Sequence, residues 1–197
     1  MVFNTGIIKE FMKIFFDTEF TGLHKDTTLI SIGCVDEDGR SFYAELSDYD
    51  KSQCDEWINE NVISHLEYPE GVHGIFRVNG YGQTGAFGNT SFVREKLTAW
   101  LAKYDEVQMV SDVCHYDMVL FISIFGTAFD LPNGVNAACH DINQDIAQFM
   151  HISESEAFDA SREGILANNE ITIQGDKHNA LYDAKVIRAL YDIVCEE

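Results

Sequence analysis

Four acids and one histidine fall in three short segments of the chain. Asp17 and Glu19 lie in Phe15-Phe16-Asp17-Thr18-Glu19-Phe20, Asp117 in His115-Tyr116-Asp117-Met118-Val119-Leu120, and His178 and Asp183 in His178-Asn179-Ala180-Leu181-Tyr182-Asp183. Each acid sits where the apolar residues around it direct it inward. Carboxylates gathered away from water repel one another and lose hydration, so a group of them calls for cations. Two divalent ions beside a histidine that can accept a proton suit phosphodiester hydrolysis.

The elements that must position these groups are legible around them. Asp17 and Glu19 are two apart on an extended run, so both side chains leave one face of a strand. Asp117 heads a helix whose apolar face carries Leu120, Phe121 and Ile124, its i+3, i+4 and i+7 neighbours. Asp112, directly after the preceding strand, competes with Asp117 for the same role. Asp183 stands above Ile187, Leu190 and Val194 on the last helix. His178 belongs to a mobile loop beside that helix start: Gly175-Asp176-Lys177 reads as a turn and Asn179 as the cap. From there its ring can approach an attacking water or swing away. Singly, each motif also reads as a solvated strand end, a first-turn acid beside the helix dipole, or an exposed loop histidine. Their order and context carry more than any one of them.

The rest of the chain alternates in type. Strands are predicted over residues 13–18, Leu29–Val35, Ser41–Leu46, Val107–Ser111 and Ala137–His140, the first three forming an antiparallel meander through the Asp38-Gly39 turn. Helices are predicted over Ser52–Leu66, from the Asn89-Thr90-Ser91 cap through Leu101, and over Tyr116–Phe125, Ile142–Met150, Ser153–Leu166 and Ala180–Cys195. Residues 69–88, with Pro69 and a run of glycines, read as a long loop or small insertion. The order implies one α/β domain built on a mixed sheet flanked by helices.

Bulk properties bound the function. The 197 residues are 46% hydrophobic, enough for one sizeable core, and no apolar run is long enough to span a bilayer. No signal-like segment opens the chain, so a cytoplasmic protein is expected. Cys34, Cys54, Cys114, Cys139 and Cys195 are odd in number and lack the spacings of zinc or redox motifs. Even the adjacent Cys114-His115 and Cys139-His140 pairs therefore read as reduced core thiols. The net charge is -20, against the usual basicity of nucleic-acid binders. A long basic groove is not expected; a short substrate held by metals and its terminal nucleotides fits better.

The motifs together resemble the DEDDh 3′-to-5′ exonucleases of the ribonuclease-H-like superfamily, and within them a small bacterial and phage exoribonuclease-like group. Asp17-Thr18-Glu19-Phe20-Thr21-Gly22-Leu23 is similar to the first motif of that family, Tyr116-Asp117 to the second, and His178 with Asp183 to the third. The Ile30-Ser31-Ile32-Gly33 strand and the Trp57-Ile58-Asn59-Glu60-Asn61-Val62 helix add to the likeness, which runs from about Lys13 to Cys195. In two places the chain departs from the pattern: Asp112 stands where the second motif often has Asn, and residues 69–88 lie outside the common motifs.

The resemblance implies that Asp17, Glu19, Asp117 and Asp183 hold two Mg²⁺ or Mn²⁺ ions. His178 is the implied general base, and the products are nucleoside 5′-monophosphates released from single-stranded RNA or short oligonucleotides, DNA included. It casts Thr18, Phe20 and Leu23 as substrate contacts, Phe20 and Leu23 stacking on terminal bases or else packing in the core. It makes a homodimer an expected assembly, although no interface stripe is visible. It also suggests Met12 as the natural start, leaving an N-terminal extension over 1–12 before a domain over 13–197.

Two other readings compete. Gly80-Tyr81-Gly82-Gln83-Thr84-Gly85 fits the dinucleotide-binding glycine pattern, with Asp105 some way beyond. That pattern needs a strand before it and a helix opening on its third glycine, and the sequence offers neither clearly. The acidity also keeps open a non-catalytic nucleotide- or protein-binding module on the same fold.

Overall fold

The computed structural model describes residues 12–68, 74–79 and 82–195. A central sheet carries seven strands in the order β4-β5-β3-β2-β1-β6-β7, where β1 is Met12–Phe20, β2 Leu29–Asp36, β3 Ser41–Leu46, β4 Ile75–Asn79, β5 Gln83–Gly88, β6 Val107–Ser111 and β7 Val135–Asp141. The meander of β1, β2 and β3 is antiparallel, as its short turns require. The joins of β1 to β6, β6 to β7 and β3 to β5 are parallel, so the sheet is mixed.

Strand alternation sends the sheet's side chains into two layers. Ile14, Phe16, Ile32, Cys34 and Phe42 pack against α2 (Thr90–Leu101) and α3 (His115–Phe125). Phe15 and Val110 face the other way, onto α4 (Ile142–Met150), α5 (Glu154–Phe158), α6 (Arg162–Asn168) and α7 (Ala180–Cys195). A smaller cluster joins Ile30 to Ile58 and Val62 around α1 (Glu56–Asn61). Among the described residues no helix is long and apolar enough to cross a membrane.

Four expectations are corrected. Residues 75–79 and 83–88 are strands rather than a loop: β4 and β5 form a hairpin, and β5 extends the sheet alongside β3. The glycines hid this because they leave little hydrophobic alternation to read. In β5, Gly85 has Tyr68 so close that a Cβ there would meet the phenol oxygen at 2.2 Å. The same segment answers the dinucleotide motif: Gly82 stands in the turn before β5 and Gly85 within it, with no helix opening on that third glycine.

The helix expected over Ser52–Leu66 is broken into α1 and flanking 3-10 turns at Lys51–Gln53 and Ile63–His65, because Asp55 caps a fresh start by accepting from the Ile58 N–H. The helix expected over Ser153–Leu166 is likewise two, since Ser161 caps α6 through the Gly164 N–H. Met12 is the first residue of β1 rather than the end of an extension, and residues 1–11 lie outside the described residues.

Candidate active site

The site forms beyond the carboxyl ends of the parallel neighbours β1 and β6, where open α/β sheets leave a crevice. Odd positions of β1 face α7. Asp17 and Glu19 therefore follow Phe15 on that side, toward Asp183 in the first turn of α7. Thr18 faces the opposite layer. Its N–H and Oγ1 both donate to Asp117 Oδ1, at 3.0 and 2.5 Å, while Ser111 Oγ donates to Oδ2 at 3.4 Å. Asp117 is thus held from the ends of both strands, and only 7% of it is exposed.

The start of α7 lies directly on the sheet. A Cβ at Gly33 of β2 would meet the Ala180 carbonyl oxygen at 2.3 Å, so only glycine permits this contact. Asn179 caps the helix, its Oδ1 accepting from the N–H groups of Leu181 and Tyr182 at 3.1 and 3.2 Å. His178 just before it takes a left-handed backbone, φ 65°, and its N–H donates to Asp183 Oδ2 at 2.8 Å. A left-handed non-glycine residue costs conformational energy, of order 1–3 kcal/mol, that the surrounding structure has to offset. Part of that support is the edge of the Trp57 ring, whose centroid lies 5.1 Å from the imidazole. Donor atoms of Glu19, His178 and Asp183 all lie within 4.8 Å of one another.

The electrostatics are one-sided. Burial raises the pKa of Asp17 well above the ordinary carboxylate range, and Asp117, Asp183 and Glu19 push it further. Glu19 is raised to about 8, first by burial and then by Asp183 and Asp117. Asp183 and Asp117 are raised by burial, against the opposing hydrogen bonds from His178 and Thr18. Among the described residues no hydrogen bond reaches the carboxylates of Asp17 or Glu19. His178 moves the opposite way: burial first, then Lys177 and His65, lower its pKa, which favours the neutral, proton-accepting ring.

These groups line one cavity of about 610 Å³. Phe20 also lines it and stacks on Tyr116 at 5.2 Å. Thr18 lines the cavity but spends both its donors on Asp117. Leu23 is 79% exposed and is not among the lining residues, so it is neither core nor cavity wall. The competing acid, Asp112, also faces the cavity, but Arg162 grips both its oxygens at 2.6 and 2.7 Å. Arg162 and Lys177 are the two fixed cations of the wall, and Lys177 lies 3.6 Å from Glu163.

Sequence reasoning missed Arg162, Lys177 and Phe158 as wall residues, and nothing local marks them.

A metal pair suits the donor set. The four acids offer only oxygen, two of them have no hydrogen-bond donor, and the nearby arginine is already matched to Asp112. Such carboxylates fit hard divalent cations.

A model for the 3′-5′ exoribonuclease Rv2179c-like domain matches residues 12–194. Two proteins from Mycobacterium tuberculosis strains, the 3′-5′ exoribonucleases Rv2179c and MT2234.1, are each 40% identical over 110 residues; the aligned stretch covers 50% of this chain and 59% of theirs. Among solved structures, a 3′-exonuclease recognising the 3′ end of a histone mRNA stem-loop superposes with a TM-score of 0.61 at 16% identity, covering 93% of this chain and 63% of that one. The nuclease domain of 3′hExo, a DEDDh family member bound to rAMP, gives 0.58 at 12% identity, covering 92% and 91%. At these identities the likeness establishes the fold alone, a mixed α/β sheet flanked by helices.

Proposed function

The chain belongs to the family of 3′-5′ exoribonuclease Rv2179c-like domains, and on that premise we propose that it removes nucleoside 5′-monophosphates from the 3′ ends of single-stranded RNA or short oligonucleotides, with DNA as a further substrate. The observation that carries this reading is the convergence of Glu19, His178 and Asp183 within 4.8 Å in the cavity shared with Asp17 and Asp117.

Asp17, Glu19, Asp117 and Asp183 would hold two ions, Mg²⁺ or Mn²⁺. When bound, the ions supply activation of the attacking water and neutralisation of charge at the departing 3′ oxygen. The remaining tasks fall to the chain itself. Thr18 fixes the Asp117 carboxylate. His178, kept neutral by burial, takes the proton from the attacking water, and its N–H bond to Asp183 ties the base to an acidic ligand. Phe20, stacked on Tyr116, and Phe158, 60% exposed at the cavity wall, offer ring faces to the terminal bases without regard to sequence. Leu23 could meet only substrate that extends outside the cavity.

A reducing, cytoplasmic compartment is part of this reading, and Cys34, Cys54, Cys114 and Cys139 suit it as free thiols. A homodimer is part of the same reading.

The test is product analysis on matched end-labelled RNA and DNA oligonucleotides with Mg²⁺, Mn²⁺ or chelator. Mononucleotides leaving from the 3′ end, only when metal is present, are the expected result. Retention of an intact oligonucleotide by the metal-loaded protein would instead favour a binding module.

A further inference from the structure

We propose that the chain carries a second metal site, for zinc, at the far end of α7, formed by His140, Asp145 and Cys195. None of the three lines the cavity of the four acids. Ligand atoms of all three lie within 4.8 Å of one another. They come from three elements that the core already fixes: His140 from β7, opposite Val110 of β6; Asp145 from the first turn of α4; and Cys195 from the last position of α7. Ile142 and Ile146 of α4 share a core cluster with Leu190 of α7, so the two helices are braced on either side of the site.

Local geometry aims the donors together. On β7, alternation turns Cys139 toward the α3 layer and His140 toward α7. This is why the adjacent Cys139-His140 pair is not itself the site. On α7, Tyr191 and Cys195 are i and i+4 and share a face. The Tyr191 ring meets the His140 ring nearly edge-on, at 5.8 Å and 74°, which restrains the imidazole. His140 Nε2 already lies 2.6 Å from Asp145 Oδ2.

A tetrahedral zinc ion with bonds of about 2.0–2.3 Å separates its ligand atoms by roughly 3.3–3.6 Å. Binding would part His140 Nε2 and Asp145 Oδ2 from 2.6 Å to that separation, exchanging their hydrogen bond for two metal bonds, and would draw in any pair lying wider, none of which exceeds 4.8 Å. Three protein ligands leave a fourth position for water.

The donor chemistry separates this site from the catalytic one. Thiolate and imidazole select a borderline transition metal, whereas the all-carboxylate cluster suits hard ions. The thiol proton leaves on binding, as it does at zinc–cysteine sites generally. Occupied, the site would pin the end of α7 to β7, on the same helix whose first turn carries Asp183.

Cobalt(II) reports on such a site through a thiolate-to-metal charge-transfer band in the near ultraviolet, which the carboxylate cluster cannot produce. The full chain is titrated with Co²⁺ in excess Mg²⁺, then with Zn²⁺ as competitor. The expected result is a band saturating at one Co²⁺ per chain and erased by Zn²⁺. The band should be lost in Cys195→Ser and in His140→Ala, and kept in Asp17→Asn. No band in the unmodified chain, or a band that survives Cys195→Ser, overturns the proposal. Cys195 is half-buried at a helix end, so the serine variant should fold, and circular dichroism verifies this. His140→Gln replaces His140→Ala if the latter unfolds.

Discussion

At the scale of single residues, the carboxylates divide by what compensates them. Asp117 and Asp183 accept hydrogen bonds, whereas Asp17 and Glu19 face only burial and like charge. Asp17→Asn should therefore abolish cleavage, yet in chelator it should raise the thermal midpoint, since it removes a carboxyl group whose ionised form burial and its acidic neighbours disfavour. Melting curves of both proteins with and without Mg²⁺ check this; a metal-free variant less stable than the parent would contradict it. His178→Ala should lower turnover by about 10²–10⁴-fold, the range for losing a general base. Burial lowers the His178 pKa, so the acid limb of the parent's pH–rate profile should lie below the ordinary histidine value, and the alanine variant should lose that limb. The sequence singled out these four acids and the histidine through the order and context of three motifs, each weak alone, and the structure brings them to one cavity. It left Asp112 against Asp117 undecided, since the deciding partner, Arg162, arrives from another helix and no local pattern points to it.

At the scale of elements, the site depends on α7 starting against the sheet. Gly33→Ala would place a methyl group on the Ala180 carbonyl, so the helix start would have to move, carrying Asp183 and His178 with it. Loss of activity should exceed loss of fold: turnover should fall at least about tenfold while circular dichroism remains native, and an unaffected rate would show that the contact does not set the geometry. Asn179→Ala removes the cap of α7 and should cost about 1 kcal/mol of stability in chemical denaturation. The strong elements, β2, β6, α4 and α7, were legible from uninterrupted apolar runs or periodicity. The β4–β5 hairpin was not, because its strands gain their place from pairing with β3 rather than from their own composition. The division of the 52–66 and 153–166 segments was also hidden, although in hindsight Asp55 and Ser161 are the capping residues that announce it.

At the scale of the whole molecule, the charge of -20 and the raised carboxyl pKa values act together. A group whose pKa is higher folded than unfolded binds more protons in the native state, so stability falls as pH rises between the two values. For Glu19 that window runs from its ordinary 4.5 to about 8. In chelator the protein should therefore lose stability across this range, and added Mg²⁺ should stabilise it more at the upper end than at the lower. Thermal melts over that range, with and without Mg²⁺, measure it; a chelated protein that gained stability with pH would refute it. Substrate affinity should also respond weakly to salt, because among the described residues the cavity wall offers only Arg162 and Lys177 as lysine or arginine cations, the first already engaged with Asp112. A slope of log affinity against log salt no steeper than about -1.4 is expected for two phosphate contacts on a single strand. The net charge was plain in the sequence, but not where the few cations would stand. One further matter follows from β1, whose odd positions supply Asp17 and Glu19 while its even position, Thr18, anchors Asp117. Sliding this strand by a single step against its partners would exchange all of these roles at once. Half-built versions of the catalyst are thereby closed off, and variation around the centre is channelled into the loops and the outer walls.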